Sequence, residues 1–218
     1  MWSYERRLQF PVNIKEPNAK LAQVIISQFG GPDGELAASM RYLSQKFATP
    51  YKEVAGLLND IGTEELGHLE IIGAIVFQLT RNLCMEEIQK SGFDKYYVDH
   101  TLGIWPQAAG GIPFNACEFR SKGDIITDLF EDMAAEQKAR STYDNILRLV
   151  DDPDVCAPIQ FLREREIVHF QRFGEALRIT QDKLDSRNFY AFNPGFDRCK
   201  DCDDTPEPTP GCDCGCDC

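Results

Sequence analysis

Four glutamates and two histidines recur in two matching sets along the chain. In each set the second glutamate follows the first by thirty residues and begins a Glu-x-x-His motif. The two sets are separated by a single offset of 101 residues, and the chain contains only three histidines in all. The first set is Glu35, Glu65 and His68, and the second is Glu136, Glu166 and His169. Carboxylates and imidazoles in this pattern could hold two divalent cations.

The Glu-x-x-His spacing places both side chains on one face of a helix, nearly one turn apart. That face is otherwise apolar, so the motifs point into a core. An unpaired carboxylate buried there costs several kcal/mol or takes up a proton, and two divalent cations satisfy the whole set. Oxygen ligands with few imidazoles suit manganese or iron. Tyr42 and Tyr143, each seven residues after the first glutamate of its set, obey the same offset.

Four helices must position these residues. The segment 1–17 has an aromatic and proline-rich composition and is predicted to form an extended arm. A bulge or kink is expected at Gly30–Gly34, because Pro32 disfavours a regular helix interior. The predicted helices cover about residues 19–47, 51–81, 123–150 and 154–183.

The connections between the helices predict the topology. Short loops make the first and second helices, and the third and fourth, antiparallel neighbours, while about forty Gly- and Pro-rich residues join the two pairs. This arrangement predicts an all-α, ferritin-like four-helix bundle with one long crossover connection, a fold class known to hold dinuclear metal sites in this pattern. The domain is expected to span residues 1–195, followed by a disordered tail over 196–218.

Composition excludes several classes of function. The net charge of −12 argues against a nucleic-acid partner, because binding to phosphates needs clustered cations. No apolar run of about 18 residues is present, so no membrane span is predicted. The first residues lack the apolar segment of a secretory signal, which predicts synthesis as a cytoplasmic protein.

Cysteine is concentrated at the end of the chain. Six of the nine cysteines lie in the last twenty residues, so the body is predicted to fold without disulfides. The spacing in the tail lacks the helix or hairpin of a zinc module. Cross-linking through intermolecular disulfides and binding of soft metals by thiolates both remain open for the tail.

The residues also carry a family resemblance. Gly34-Glu35-Leu36, the paired motif helices and the Trp105-Pro106 loop resemble the manganese catalase family, and within it the catalase-like spore coat proteins of spore-forming bacteria. The resemblance covers about residues 1–195. It implies two manganese ions per chain, with iron as the alternative. The implied ligands are Glu65 between the metals, Glu35 with His68 on one ion, and Glu136 with His169 on the other.

The resemblance implies disproportionation of hydrogen peroxide to water and dioxygen. Glu166 is then the general acid and base, and Tyr42 orders the site by a hydrogen bond, although a core tyrosine with any acceptor is the alternative. In ferritin-like di-iron proteins the glutamate at the position of Glu166 is itself a ligand. The spacing does not decide between these two roles.

One departure from the family concerns a basic residue. Well-known catalases of the family place a cation directly before the glutamate of the third helix, where this chain has Ala135. Arg140 lies one turn away on the same helix and is the candidate to replace it. An ordinary surface charge is the alternative interpretation of Arg140.

Three functions are therefore weighed. The first is a dimanganese catalase that forms a homo-oligomer, hexameric by resemblance, and joins other proteins in the spore coat. The second is a di-iron ferroxidase or peroxidase, which the ligand set also permits. The third is a structural coat protein whose metal centre mainly stabilises the bundle, which the Ala135 departure and the cysteine-rich tail favour.

Overall fold

The computed structural model describes residues 5–184, and this region is all-helical with no β-strand in it. The prediction of an all-α protein is confirmed. The predicted tail over 196–218 lies outside the described residues. The α-helices of the described region are α1 (Ala19–Ile25), α2 (Ser27–Gly30), α3 (Glu35–Gln45), α4 (Lys52–Thr80), α5 (Met85–Ser91), α6 (Asp94–His100), α7 (Ile125–Leu147) and α8 (Pro153–Lys183).

The bundle consists of α3, α4, α7 and α8. Helix α3 packs along α4, and α7 packs along α8, while α4 and α8 contact each other and join the two pairs. The connections within the pairs are short, at residues 46–51 and 148–152, which makes each pair antiparallel. Asp152 caps α8 by accepting a hydrogen bond from the backbone of Asp154, with Pro153 at the first helical position.

The first predicted helix is interrupted, and one break falls at Gly30–Gly34, where a bulge or kink was expected. The structure divides the segment 19–47 into α1, α2 and α3. Gly31 has an extended backbone and is followed by Pro32, so the helical hydrogen bonds end there and restart after Gly34. Glu35 thereby becomes the first residue of α3, where the partial positive charge of a helix N-terminus favours a carboxylate.

The apolar core is divided into two clusters along the bundle. The first half of α4 and the second half of α8 contribute to one cluster, and the opposite halves contribute to the other. The two Glu-x-x-His motifs therefore lie at the boundary between the clusters. The predicted apolar stripes are buried at Val54, Leu58, Ile61, Ile72 and Ile75 on α4, and at Val155, Ile159, Leu162, Phe173 and Leu177 on α8.

The long connection contains α5, α6 and a 3-10 turn at Ala116–Phe119, which the Gly- and Pro-rich composition did not predict. Tyr96 organises it by donating a hydrogen bond to the backbone oxygen of Gly103 at 2.5 Å and accepting one from Trp105 at 2.7 Å. His100, the third histidine, stacks on Trp105 with ring centroids 4.7 Å apart.

The N-terminal arm packs on its own domain. Gln78 of α4 donates to the backbone oxygen of Val12 at 2.9 Å and accepts from the backbone of Ile14 at 2.7 Å. Phe10 stacks on Phe161 of α8 with ring centroids 5.0 Å apart. The arm therefore covers the contact between α4 and α8. None of the helices in the described region is long and apolar enough to cross a membrane.

Candidate metal centre

Helices α4 and α8 bring both Glu-x-x-His motifs together in the middle of the bundle. Glu65, His68, Glu166 and His169 each offer a ligand atom, and these atoms lie within 4.8 Å of one another. All four side chains are buried. Four side chains from two helices therefore converge on one place and could hold a metal ion.

Glu65 lies between the two histidines. Its Oε2 atom is 2.7 Å from Nδ1 of His68, and its Oε1 atom is 2.7 Å from Nδ1 of His169. Burial on its own raises the pKa of Glu65, but the positive charges of His169 and His68 lower the pKa overall. Glu65 is therefore a carboxylate that faces both halves of the site.

Helices α3 and α7 each add one further carboxylate. Oε2 of Glu35 lies 3.7 Å from Nδ1 of His68, and Oε2 of Glu136 lies 3.6 Å from Nδ1 of His169. The two distances are similar, as expected for two helix pairs whose residues correspond through the offset of 101 residues. The structure thus brings all four glutamates and both histidines of the predicted set into one buried cluster.

Two tyrosines hold the outer carboxylates in a reciprocal exchange between the helix pairs. Tyr42 of α3 donates a hydrogen bond to Oε1 of Glu136 at 2.5 Å. Tyr143 of α7 donates a hydrogen bond to Oε1 of Glu35. Each hydroxyl occupies one oxygen of a carboxylate and leaves the other oxygen directed toward a histidine.

The cluster carries more negative charge than its surroundings compensate. Burial, followed by the negative charge of Glu65, raises the pKa of Glu35 to about 7. Burial, followed by the charges of Glu35 and Glu136, raises the pKa of Glu166 well above its ordinary value. A bound cation would relieve both effects, because it offsets the repulsion among the carboxylates.

The donor atoms fit two metal ions. Five buried atoms of the cluster have no hydrogen-bond partner within the described region, although buried polar groups nearly always have one. All are oxygens or imidazole nitrogens, which suits manganese or iron and not a metal that prefers thiolates. These atoms are Oε1 of Glu65, Nε2 of His68, Oε2 of Glu136, Oε1 of Glu166 and Nδ1 of His169.

Glu64 is a functional residue that sequence reasoning missed. Its Oε2 atom is 3.0 Å from Nε2 of His169, and its Oε1 atom is 3.6 Å from Nε2 of His68. Arg165 donates to Glu64 at 2.8 Å, and Gln9 of the arm donates to it at 2.8 Å. Its position four residues before His68 was the available signal, but the contact with His169 required the fold.

Glu64 orients the imidazole of His169. Burial on its own raises the pKa of Glu64, but the neighbouring His169, His68 and Arg165 lower the pKa overall. An ionised Glu64 accepts a hydrogen bond from Nε2 of His169 at 3.0 Å, which leaves Nδ1 of that ring on the side of Glu65. Nε2 of His68 lies 3.6 Å from Glu64 and has no hydrogen-bond partner within the described region.

Arg140, the sequence-based candidate for a cation at the site, pairs with residues of its own helix. Its guanidinium donates to Gln137 at 2.8 Å and to Asp144 at 2.6 Å. Arg163 of α8 also reaches Asp144 at 2.5 Å. These contacts favour the alternative interpretation of Arg140 as an ordinary surface charge.

A second arginine lies beside the carboxylates. A cavity of about 10 Å³ borders Glu35 and Glu166 and is also lined by Arg41, which the sequence analysis did not consider. Ala135, which stands where the family has a basic residue, lines the same cavity. Arg41 of α3 therefore places a cation at the cavity that Ala135 borders. The remaining lining residues are Pro32, Asp33, Gly34, Ala38, Tyr42 and Ala139.

Comparison with known proteins gives consistent relatives. A family model described as manganese containing catalase matches residues 1–189. Protein CotJC of Bacillus subtilis (strain 168) is 47% identical over 190 residues, which cover 87% of this chain and 100% of that protein. A probable manganese catalase of Clostridium acetobutylicum is 32% identical over 191 residues, which cover 87% of this chain and 85% of that protein.

The fold has a solved counterpart. The crystal structure of wild-type KatB, a manganese catalase from Anabaena, matches with a TM-score of 0.77 and 31% identity. The match covers 85% of this chain and 83% of that chain. The likeness confirms the predicted ferritin-like bundle.

Proposed function

The chain belongs to the family of manganese-containing catalases, and from that premise we propose that it disproportionates hydrogen peroxide to water and dioxygen. The observation that carries the proposal is the position of Glu65 between the two histidines, 2.7 Å from Nδ1 of each. One carboxylate facing two equivalent ligand sets is the arrangement that a pair of metal ions requires.

Two manganese ions fit the donor set. Glu65 would be shared between them, Glu35 and His68 would hold one ion, and Glu136 and His169 would hold the other. When bound, the pair supplies the two-electron redox couple that peroxide disproportionation needs. Glu64 orients the imidazole of His169 through its contact with Nε2. Tyr42 and Tyr143 orient the carboxylates of Glu136 and Glu35 by hydrogen bonds.

Glu166 is the proton carrier of the proposed reaction. Its pKa is raised well above the ordinary value, first by burial, which favours the protonated form of the carboxyl group. Oε1 of Glu166 has no partner within residues 5–184, and the side chain lines the cavity. A peroxide in that cavity can therefore exchange a proton with this carboxylate.

The cavity restricts the substrate to very small molecules. Its volume of about 10 Å³ has room for roughly one water-sized molecule. Hydrogen peroxide is close to that size, whereas an organic hydroperoxide requires the lining side chains to move. This supports peroxide itself as the substrate.

Oxygen evolution tests the proposal directly. The protein is purified from manganese-supplemented cells, its manganese and iron contents are measured, and dioxygen release is followed with an oxygen electrode. We expect two manganese ions per chain and one dioxygen per two peroxides consumed. A chain with two manganese ions and no oxygen release would contradict the catalase proposal, and activity found only after iron loading would favour the di-iron alternative.

A role in the spore coat is proposed in addition. The whole length of Protein CotJC aligns with this chain at 47% identity, which supports the coat location that the family resemblance implies. Immunoblotting of coat and core extracts from purified spores tests the location. Enrichment in the coat extract is expected, and recovery only in the core extract would exclude a coat location.

A homo-oligomer is also proposed, hexameric as the resemblance implies. Light scattering of the purified protein tests it by measuring the mass of the assembly.

A further inference from the structure

Arg41 is a buried cation whose hydrogen-bonding capacity is mostly unused. Its side chain is 1% exposed. Within the described region its one hydrogen bond runs from Nη2 to the backbone oxygen of Glu118, at 3.1 Å. The Nε–H group is buried and has no partner among the described residues. Burying a charged donor without a partner is costly, so the group calls for a ligand.

Neighbouring aspartates interact with the charge of this arginine but form no hydrogen bond with it within the described region. Burial raises the pKa values of Asp128 and Asp132, and the positive charge of Arg41 lowers them by a smaller amount. The hydrogen bonds that these carboxylates accept come from elsewhere, and Oδ2 of Asp132 accepts none within the described region. The backbone amides of Lys122 and Gly123 donate to Asp128, and the Gln45 side chain donates to Asp132 at 2.9 Å.

One cavity is lined both by the residue that carries this free donor and by a residue that carries a free acceptor. Arg41 and Glu166 both line it, and Oε1 of Glu166 also lacks a partner within the described region. The wall that α7 contributes consists of Ala135 and Ala139, which offer no polar side chain. A hydrogen peroxide molecule carries both an acceptor oxygen and a donor O–H group, which matches this pair of unpartnered atoms.

We propose that Arg41 binds the peroxide in this cavity by donating a hydrogen bond from Nε–H to a peroxide oxygen, which makes Arg41 a substrate-binding residue. The proposal rests on the catalase function proposed above. The guanidinium also supplies the positive charge that an anionic or polarised oxygen requires beside Glu35 and Glu166. Without it, the carboxylates would repel such a ligand.

The test measures ligand binding separately from turnover. Azide is a small anion that accepts hydrogen bonds, and its dissociation constant is measured by calorimetry on the manganese-loaded full chain. Arg41→Gln is expected to weaken azide binding by about tenfold or more, because a hydrogen bond from a charged donor is lost. The same variant should raise the KM for peroxide more than it lowers kcat. Arg178→Gln, a change at an exposed arginine paired with Asp182, is the matched control and should alter neither value.

Unchanged azide affinity and unchanged KM in an Arg41→Gln protein with two manganese ions would overturn the assignment. If this variant does not fold or load metal, Arg41→Lys decides the question. Lysine keeps the charge but has no donor at the Nε position, so weaker azide binding is again expected, and wild-type affinity would overturn the proposal. A wild-type protein that releases no dioxygen would refute the catalase function, whereas the azide comparison would still decide the role of Arg41.

Discussion

Glu64 and Arg165 occupy equivalent positions in the two helix pairs, 101 residues apart, and bind each other across the bundle. Arg165 donates from Nε to Oε1 of Glu64 at 2.8 Å and from Nη2 to Oε2 at 3.2 Å. At every other position of the metal cluster the offset repeats the same residue type, but here it replaces a glutamate by an arginine. This difference places the carboxylate of Glu64 on the Nε2 side of both histidines, where the positive charge of Arg165 neutralises it.

Glu64→Gln should weaken metal binding. The amide keeps the size of the side chain but loses the negative charge that favours a proton on Nε2 of His169 and that lies 3.6 Å from Nε2 of His68. We expect manganese affinity to fall by about 10- to 100-fold, the range found when a partner of a ligating histidine is removed. Competition with a chelator measures the affinity, and Glu175→Gln, on the exposed face of α8, serves as the control. Equal affinities in the two variants would contradict this role for Glu64.

Tyr42→Phe and Tyr143→Phe should affect turnover unequally. Each variant removes one hydrogen bond to an outer carboxylate, so each should lower the free energy of unfolding by about 1–3 kcal/mol. Only Tyr42 also lines the cavity, so its loss should reduce kcat more than the loss of Tyr143. The two variants control for each other in denaturant melts and oxygen assays. Equal reductions in kcat would show that the cavity position of Tyr42 has no consequence.

The metal-free protein should lose stability as the pH rises from about 5.5 to 8.5. The folded-state pKa values are raised, to about 7 for Glu35 by burial and Glu65, and to about 12 for His169, where burial lowers the pKa but Glu65 raises it more. A group whose pKa is raised on folding stabilises the folded protein at pH values below the pKa of that group in the unfolded state. This stabilisation is lost as the pH rises toward the pKa in the folded state. Each proton involved changes the free energy of unfolding by about 1.4 kcal/mol per pH unit.

The lowered pKa of Glu65 does not oppose this trend, because its contribution is complete above the unfolded value of 4.5. Thermal melts of chelator-treated and manganese-loaded protein across this pH range measure the effect. The loaded protein should show a smaller decline, since the metals replace the protons. A melting temperature of the metal-free protein that stays constant or rises with pH would contradict the assignment of these protons to the cluster.

The convergence of the two Glu-x-x-His motifs could be predicted because its signal is local. The Glu-x-x-His motif places two side chains on one face of a single helix, and the apolar residues of α4 and α8 show which face is buried. Glu64 and Arg41 could not be found in this way. Glu64 acts on His169 of another helix, and the burial of Arg41 depends on where α3 restarts after the break at Pro32.

The helices of the long connection show a second limit. Their sequences are too short to indicate a helix by periodicity, and the surrounding glycines and prolines predict loops. The structure stabilises α5 and α6 by packing, because Ile88, Phe93 and Tyr96 are buried against the main core. Tertiary contacts of this kind are not visible in local sequence.

Glu65→Ala should empty the site. The residue faces both histidines, so its removal takes a ligand from each ion at once and leaves the rings without their shared partner. Manganese content should fall from two per chain toward zero, and the melting temperature in excess manganese should drop by several degrees. Metal analysis and calorimetry measure both, with Glu70→Ala on the exposed face of α4 as the control. Unchanged metal content would count against the whole ligand assignment.

Glu166→Gln should separate the two roles that the spacing leaves open for this glutamate. The structure places Glu166 within the same 4.8 Å cluster as Glu65 and both histidines, yet it also lines the cavity with an unpartnered oxygen. As a proton carrier it should keep both manganese ions when replaced by glutamine, while kcat falls by about 100-fold or more, since an amide cannot exchange the proton. As a metal ligand it should lose one ion, because an amide binds a divalent cation more weakly than a carboxylate. Metal analysis and oxygen assays on the same sample distinguish the two, and we expect two bound ions with slow turnover.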